Sequence, residues 1–518
     1  MTVTRLPRPQ WAVALARTIL FALVPSFLSD LSNPERRRRP PRQHPTSYLD
    51  GLRGLAACAV FAYHYTDYNH KPFLPHYGHN DDGKGSSILQ LPYLRLIYSG
   101  TPMVHVFFVI SGFALSLRPL RTLYNTANPS KGPDGSALAK CHAILASSTF
   151  RRPFRIFIPP MMSTLFTATI VQLGYMNGYM KPQETIKAQI DDWLGDGIQK
   201  IMYPWAWDEG SPKSRYNPHL WTIPMEFVHS MFLFLVILMC SRLRTPRVRQ
   251  ITLFTIMIGV LMSNRWACFE FVAGALLADT YIYAQLSEPA ESEKDGGLIA
   301  PVQNVLMSPT YPKADLRKAV PAVLHGCKEA PVIIVLLIAG YILSWPPRKG
   351  DMTGSYLWIQ GLVPERFVGD KPERARDICL ALAAFATVWA SGRITLFKRV
   401  LNSSIPQYAG KISFCFYILQ HPVLNVLQHP VLGAEAKAAT AEKPAEGPWG
   451  VRGLAGIQTP LQRTTTWFIG LVILGSVLVW LADLFTRIVD GPAVRFARWL
   501  EGVAFAKEDT NAEAASQK

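Results

Sequence analysis

Ionisable side chains lie inside several segments of the sequence that are otherwise apolar. The segment YLDGLRGLAACAVFAYHY, residues 48–65, contains Arg53 and His64, HLWTIPMEFVHSMFLFL contains Glu226, and ISFCFYILQHPVL contains His421. An ionisable group within a membrane-spanning segment usually faces a protein interior or a wet cavity, because exposing it to lipid is costly. Imidazole and carboxylate groups can act as general bases. These segments therefore predict a proton-transferring site formed by separate helices.

Helix geometry places three of these groups at a similar depth. His64 follows Arg53 by eleven residues, which is about 16 Å along a helix that rises 1.5 Å per residue. Glu226 lies in a segment that runs the other way, and His421 lies well inside an outward-running segment, so both reach the level of His64. Each group also has a simpler explanation. Arg53 could extend to the membrane surface. His64 and Glu226 could be hydrogen-bonded structural groups, and His421 could mark a turn at Pro422.

Two further groups of residues could bind or react with a substrate. Ser111, in FFVISGFALSL, is a candidate nucleophile or hydrogen-bond donor, although a serine beside a glycine is often a helix-packing site. The run RRPFRIFIPP places Arg151, Arg152 and Arg155 at the cytosolic end of a predicted span. Arginines at this position can bind a phosphorylated ligand or lipid phosphate.

The elements that position these residues are predicted to be membrane-spanning helices. The chain has 518 residues, 49% of them hydrophobic, and its apolar runs of about 14–25 residues are long enough to cross a bilayer core. We predict an all-α fold, a polytopic transmembrane bundle of about ten helices. The spans are expected near residues 52–69, 101–118, 156–175, 220–240, 250–263, 266–285, 331–345, 378–391, 411–428 and 466–488.

The distribution of basic residues predicts the orientation of this bundle. The net charge is 53 − 36 = +17, and the Lys and Arg residues gather in alternate loops beside the apolar runs, as the positive-inside rule describes. This placement argues against nucleic-acid binding and predicts that both termini are cytosolic. The protein is expected to be a multi-pass protein of an endomembrane or the plasma membrane.

Three regions follow from this organisation. Residues 1–47 are predicted to be a cytosolic N-terminal segment, in which residues 11–28 could form an interfacial helix, an extra span or a signal peptide. Residues 48–490 would form the membrane domain, and residues 491–518 a cytosolic polar tail.

Several motifs that mark other classes of enzyme are missing from the sequence. The seven cysteines form no C-x-x-C pair, so no metal site is predicted. The sequence also lacks G-x-S-x-G, H-E-x-x-H, Walker A and G-x-G-x-x-G motifs. Soluble hydrolases, metalloproteases and nucleotide-driven motors are therefore disfavoured.

The ordered set of segments resembles the acyltransferase 3 family of integral membrane O-acyltransferases, especially its fungal members. YLDGLRGLAACAVFAYHY resembles the opening of the family, with Arg53 and His64 at its Arg-x10-His spacing, and VHVFFVISGFALS resembles the second-helix motif. RRPFRIFIPP, HLWTIPMEFVHS and ISFCFYILQHPV match later elements in order. The resemblance covers about residues 48–490.

The resemblance implies transfer of an acyl group, often acetyl from acetyl-coenzyme A, to a hydroxyl of a carbohydrate or other small molecule. Acyl-coenzyme A would be a co-substrate, with no tightly bound cofactor. On the matching positions, His64 would be the catalytic base and Arg53 its supporting partner, while Glu226 would belong to the polar core. Arg152 and Arg155 would belong to the donor site.

Ser111, His421 and His105 are further candidates for substrate or donor binding. His105 stands where many members of the family carry an aspartate before the FFVISG run. If that aspartate partners the histidine elsewhere, Glu226 or another group must do so here.

Two other functions are compatible with the same residues. Intramembrane His and Glu side chains also relay protons in transporters, so the alternative is a proton-coupled transporter of small molecules. Such transporters are often built from inverted halves with broken helices, and the sequence shows no such halves. The third hypothesis is a catalytically silent relative that acts as a scaffold.

Overall fold

The structure, a computed structural model, describes most of the chain. The described residues are 24–26, 44–79, 85–124, 130–176, 179–207, 212–287, 316–348, 350, 353–368, 373–433 and 450–505. Within these ranges the regular structure is helical and contains no β-strand, which confirms the all-α prediction. The segments 11–23 and 36–39 of the N-terminal region lie outside the described residues.

Ten helices of at least 17 residues occur in the described part of the chain. They are α1 (Ser47–Asn69), α2 (Gly100–Thr122), α3 (Gly135–Gln172), α4 (Thr222–Cys240), α5 (Pro246–Met262), α6 (Trp266–Ser287), α7 (Leu316–Leu343), α8 (Glu373–Ser391), α9 (Ser404–Leu432) and α10 (Pro460–Phe485). Each predicted span overlaps one of them. The largest differences are at α3 and α7, which begin well before the predicted spans.

Shorter helical elements connect these helices. The α-helical ones are Ile186–Asp196, Gly354–Gly361, Glu365–Val368, Thr395–Leu401, Val451–Ala455 and Gly491–Ala504. Turns of 3-10 helix lie at Lys71–Phe73, Ile88–Gln90, Leu94–Tyr98 and Pro218–Trp221, and π turns at Gly197–Ile201 and Thr486–Asp490. Residues 491–504, which the sequence assigns to a polar tail, are thus helical.

In the described part of the chain, fewer than ten helices are long and apolar enough to cross a membrane by length and composition alone. Five described segments qualify: Gly100–Thr122, Gly135–Gln172, Pro218–Cys240, Trp266–Ser287 and Pro460–Ala504. A sixth is added if α8 and Thr395–Leu401, bent by 93°, form one broken span. Helices α1 and α9 fall outside this set because polar and ionisable residues, including Arg53 and His421, interrupt their apolar surfaces.

The chain divides into two compact units. Unit 1 comprises residues 1–100, 145–231 and 404–518, and unit 2 comprises residues 101–144 and 232–403. Helices α3 and α4 therefore each contribute to both units. Arg53, His64, Arg152, Glu226 and His421 all belong to unit 1.

In unit 1, glycines let α1 and α9 approach closely. A Cβ atom on Gly54 would overlap the backbone of Gly410, and a Cβ atom on Gly410 would overlap the carbonyl of Asp50. Small residues at a helix crossing permit this separation in membrane proteins. The contact aligns the polar residues of the two helices along one seam.

This crossing predicts a large difference between two glycine substitutions. Gly410→Val should lower the free energy of unfolding by about 1–3 kcal/mol, because overpacking forces rigid backbone apart. Gly259→Val in α5 is the matched control, because nothing lies within 4 Å of a Cβ atom there. Thermal unfolding in detergent measures both variants. Equal transition midpoints for the two would contradict a tight α1–α9 crossing.

In unit 2, a similar glycine crossing joins α2 and α6. Cβ atoms on Gly112 and Gly274 would overlap the carbonyls of Phe271 and Val109, respectively. The Ser-Gly pair of the FFVISG segment therefore lies beside a helix-packing contact. Ser111 itself is partly exposed.

Candidate active site

Three histidines from three elements of unit 1 form a histidine cluster, defined as His64, His219 and His421. His64 lies on α1, His219 lies in the 3-10 turn that precedes α4, and His421 lies on α9. The rings of His64 and His219 stack, with centroids 3.5 Å apart and planes 15° apart. The rings of His219 and His421 meet edge to face, with centroids 5.0 Å apart. Two of the predicted site residues are thus brought together by a third histidine.

The environment of His64 differs from that of the other two rings. His219 and His421 are buried, whereas His64 is partly exposed. Among the described residues, the His64 ring makes ring contacts with Tyr63 and His219 but no hydrogen bond. No described residue therefore engages its nitrogens, and stacking against His219 fixes the plane of the ring.

Tyr68 connects the two buried histidines. Its hydroxyl lies 3.0 Å from Nε2 of His219 and 3.3 Å from Nδ1 of His421. Because Tyr68 follows His64 by four residues on α1, both side chains lie on one face of the helix. Asn425 is related to His421 in the same way on α9, and its amide nitrogen lies 3.1 Å from Nδ1 of that ring.

The turn that carries His219 is held against α9. Asn217 caps the turn, with its side chain accepting a hydrogen bond from the backbone N–H of His219 and donating one to the carbonyl of Ile418 at 2.9 Å. Asparagine is a favoured residue at this capping position, and proline at the next. The Tyr417 hydroxyl donates to the carbonyl of His219. These contacts fix His219 beside His421.

Tyr179, in the loop between α3 and α4, closes one side of the cluster. Its ring packs edge to face against His421, with centroids 5.0 Å apart, and its hydroxyl donates to the carbonyl of Arg215 at 2.9 Å. Burial raises the pKa of the Tyr179 phenol, and the nearby Asp196 carboxylate adds to this effect. Both causes disfavour the phenolate, so Tyr179 is a protonated donor at neutral pH.

Four arginines of unit 1 form a second group, the arginine cluster, defined as Arg53, Arg151, Arg152 and Arg155. Arg152 is paired with Glu226 and donates from Nε to the Ser230 hydroxyl at 3.0 Å. The Nε atom of Arg151 lies 3.2 Å from a carboxylate oxygen of Glu501, in the helix Gly491–Ala504. Arg155 is exposed.

Arg53 lies with this cluster and does not contact His64. It donates from Nε to the Ser413 hydroxyl at 3.1 Å and from Nη2 to the carbonyl of Gly410 at 3.2 Å. The carboxylate of Asp490 lies within electrostatic range of both Arg155 and Arg53. Arg53 and His64 thus mark two ends of the seam between α1 and α9.

Glu226 is paired with Arg152, and the described contacts of the histidine cluster do not include it. It follows His219 by seven residues, or about 10 Å of helix. A half-buried carboxylate is most strongly stabilised by an opposite charge with hydrogen bonds, which Arg152 supplies. The role of Glu226 in catalysis stays a prediction.

In unit 2, His105 has a carboxylate partner that sequence reasoning missed. Nδ1 of His105 lies 2.5 Å from Oε1 of Glu270, and both side chains are fully buried. The Trp266 ring packs against His105, with centroids 4.4 Å apart. Glu270 lies in the apolar run WACFEFVAGALL, so the signal that singled out Glu226 also applied to it. Substrate-binding roles for His105 and Ser111 stay predictions.

Sequence reasoning also missed the polar neighbours of the histidines. Tyr68 and Asn425 could have been found from the four-residue spacing on α1 and α9, since residues four apart share a helix face. His219 begins the segment HLWTIPMEFVHSMFLFL, at the mouth of a predicted span, and the sequence alone does not place it beside His421. Within the described residues, no group of three or more His, Cys, Asp or Glu side chains could hold a metal ion.

Comparison with known proteins identifies the class. The family model for the acyltransferase domain of the acyltransferase 3 family matches residues 46–487 of this sequence. This protein therefore belongs to the acyltransferase 3 family and is an O-acyltransferase. Its apolar helices and its family together make it an integral membrane protein.

Three fungal acyltransferases are similar to this chain. The O-acetyltransferase PaAT-1 of Phomopsis amygdali is 29% identical over 420 residues, which cover 74% of this chain and 73% of the relative. Acyltransferase R4 of a Phoma species is 24% identical over 74% of this chain and 82% of its own length. Acyltransferase clz18 of Cochliobolus lunatus is 23% identical over 72% of this chain and 81% of its own length. No solved structure matches the chain.

Proposed function

We propose that this enzyme moves an acyl group, acetyl in the first instance, from acyl-coenzyme A to a hydroxyl of a carbohydrate or other small molecule. The observation that carries the proposal is the His64 ring, which is partly exposed, stacked on His219 and without a hydrogen bond among the described residues. We further propose about ten membrane crossings with both termini in the cytosol. Acyl-coenzyme A acts as a co-substrate, and no tightly bound cofactor is required.

The chemistry assigns one proton transfer to His64. A neutral ring nitrogen takes the proton of the acceptor hydroxyl while the oxygen attacks the thioester carbonyl. The carbon–sulfur bond then breaks, and the imidazolium donates the proton to the leaving thiolate of coenzyme A. Stacking against His219 keeps the His64 ring oriented through both steps. A positioned base of this kind typically contributes ~10²–10⁴-fold to the rate.

The arginine cluster is suited to the phosphates of the donor. Arg155 is exposed, and Arg152, Arg151 and Arg498 all lie within electrostatic range of it. Guanidinium groups bind phosphate oxygens in a bidentate manner, which makes arginine well suited to such recognition. Arg53 belongs to the same cluster, because Asp490 lies within electrostatic range of both Arg53 and Arg155. It therefore serves the donor end of the seam, while His421 borders the acceptor end.

An acyl-transfer assay on purified protein tests the proposal. The full chain in nanodiscs is supplied with acetyl-coenzyme A, and coenzyme A release is followed with and without a panel of hydroxyl acceptors. We expect release that depends on the acceptor, and an acylated product by mass spectrometry. Proton-driven uptake of a solute into proteoliposomes without release of coenzyme A would instead support the transporter.

The proposed orientation predicts opposite accessibility for two exposed lysines. Lys187 lies in the loop that follows α3, and Lys140 lies near the start of α3. The charge distribution predicts that Lys140 lies in the cytosol and Lys187 on the other side. In sealed membranes, an impermeant thiol reagent should label Lys187→Cys from the non-cytosolic side only and Lys140→Cys from the cytosolic side only. Labelling of both from one side would contradict the orientation.

A further inference from the structure

The loop between α3 and α4 carries an exposed apolar stripe. Ile186, Ile190, Leu194 and Ile198 are 69%, 46%, 44% and 55% exposed, respectively. They belong to the helix Ile186–Asp196 and to the π turn Gly197–Ile201 that continues it. Residues spaced by four lie on one face of a helix. Four large aliphatic side chains are therefore presented together on one surface.

The opposite face of the same helix is fixed to unit 1 by polar contacts. Gln189 is buried and donates to the Tyr216 hydroxyl at 2.5 Å. The Ser214 hydroxyl donates to the buried carboxylate of Asp196, also at 2.5 Å. These contacts determine which face of the helix points outward, and that face is the apolar one.

Two further contacts hold the C-terminal half of the helix. The indole N–H of Trp193 donates to the Thr164 hydroxyl of α3 at 3.1 Å. A guanidinium N–H of Arg215 donates to Asp192 at 2.5 Å. The stripe is thus part of a fixed structure and its exposure does not arise from a loosely attached helix.

The position of the helix in the chain indicates what covers the stripe. It connects Gly135–Gln172 to Pro218–Cys240, and both segments are long and apolar enough to cross a membrane. The connection therefore lies at a membrane surface. Tyr175 before the helix and Trp205 after it are 70% and 66% exposed, and exposed Tyr and Trp residues are typical of the boundary between membrane and water.

The remaining flank of the helix is charged. Lys187 and Asp191 form an exposed ion pair at 3.2 Å. A helix with an apolar face and a charged flank lies in the interfacial plane of a bilayer, with its apolar face about 5–10 Å into the boundary between headgroups and acyl chains. A partner protein that covered the stripe instead would have to bind within this same interfacial layer and displace the lipid.

We propose that the helix Ile186–Asp196 and its continuation form an interfacial anchor whose stripe is covered by lipid. The anchor has a consequence for the histidine cluster. Tyr216, which bonds Gln189 and Asp192 of the helix, precedes His219 by three residues. The anchor therefore fixes the depth of the cluster near the headgroup region. If the proposed function holds, an acceptor can reach His64 from that interface.

Depth-dependent fluorescence quenching of the full chain tests the anchor without a turnover assay. An environment-sensitive fluorescent amino acid is placed at Ile190 by codon suppression, and the protein is reconstituted in nanodiscs. We expect blue-shifted emission that is quenched by lipids with a quencher near the headgroup and is insensitive to aqueous iodide. The same probe at Lys187, which is 88% exposed, is the matched control and should be quenched by iodide.

Two outcomes would overturn the anchor. Iodide quenching at Ile190 equal to that at Lys187 would place the stripe in water. Protection from both quenchers would place it under protein. Since a bulky probe at Ile190 could impair folding, the measurement is repeated at Ile186, the most exposed member of the stripe. Coenzyme A release by the same samples reports on the proposed function separately, so either idea can fail alone.

Discussion

Replacing His64 with alanine should lower the rate of acyl transfer by about two to four orders of magnitude, the usual value of a positioned base. Expression and donor binding should persist, because the side chain is partly exposed and makes no hydrogen bond with the described residues. His64→Gln preserves the size and polarity of the side chain but cannot cycle a proton near neutral pH. It should therefore be almost as inactive. Initial rates of product formation at saturating acetyl-coenzyme A measure both variants.

A control histidine separates catalysis from general effects. His429 also lies on α9 but is exposed and outside the histidine cluster, so His429→Ala should keep nearly the full rate. His219→Gln tests the stack: it should lower the rate less than His64→Gln, because the proton acceptor remains and only its orientation is loosened. Near-normal transfer by His64→Gln would show that His64 is structural.

The sequence predicts the helices well because their apolar periodicity and length are local properties. All ten expected spans overlap a helix of the described chain. The number of membrane crossings is less predictable, since the helices that carry the site are also the most polar ones. Helix α1 contains Asp50, Arg53, His64 and Asp67 within 23 residues. The features that mark such a helix as functional therefore reduce its apolar signal.

The pairing between helices is the part that the sequence does not determine. Depth along a helix follows from counting residues at 1.5 Å each, and this placed His64 and His421 together. Rotation about the helix axis does not follow from counting. The sequence predicts that Glu226 lies near the level of His64, but Arg152 supplies its partner. His219 reaches the cluster because the capped turn at Asn217 directs it there, which is a tertiary feature.

Glu270 shows a different limit. A carboxylate in an apolar run is a recognisable signal, yet its partner His105 lies 165 residues away in sequence. Without the fold, nothing indicates that the two side chains meet. The unusual His105 is therefore explained by a pairing within unit 2, whatever its part in substrate binding.

Replacing Arg152 and Arg155 together with alanine should weaken binding of coenzyme A by about 10²–10⁴-fold. Hydrogen bonds to charged groups contribute about 1.5–3 kcal/mol each, and 1.4 kcal/mol corresponds to a factor of ten in affinity. The loss should exceed that from removing two positive charges elsewhere. Arg242→Ala with Arg244→Ala is the matched control, because both residues are exposed and lie in another predicted cytosolic loop. Isothermal titration or equilibrium dialysis of the purified proteins measures the change.

The pairing of Arg152 with Glu226 determines how this experiment must be designed. Removing Arg152 alone leaves a half-buried carboxylate without its partner, and an unpaired buried charge destabilises the fold strongly. Arg155→Ala avoids this problem, because Arg155 is exposed and, among the described carboxylates, interacts with that of Asp490 only at longer range than a salt bridge. It should weaken binding by about 10–100-fold with unchanged thermal stability. In the double variant, adding Glu226→Gln removes the unpaired charge and should restore folding without restoring affinity. Full affinity in folded Arg155→Ala and in the triple variant would remove both arginines from the donor site, leaving Arg155 at the lipid surface and Arg152 as the structural partner of Glu226.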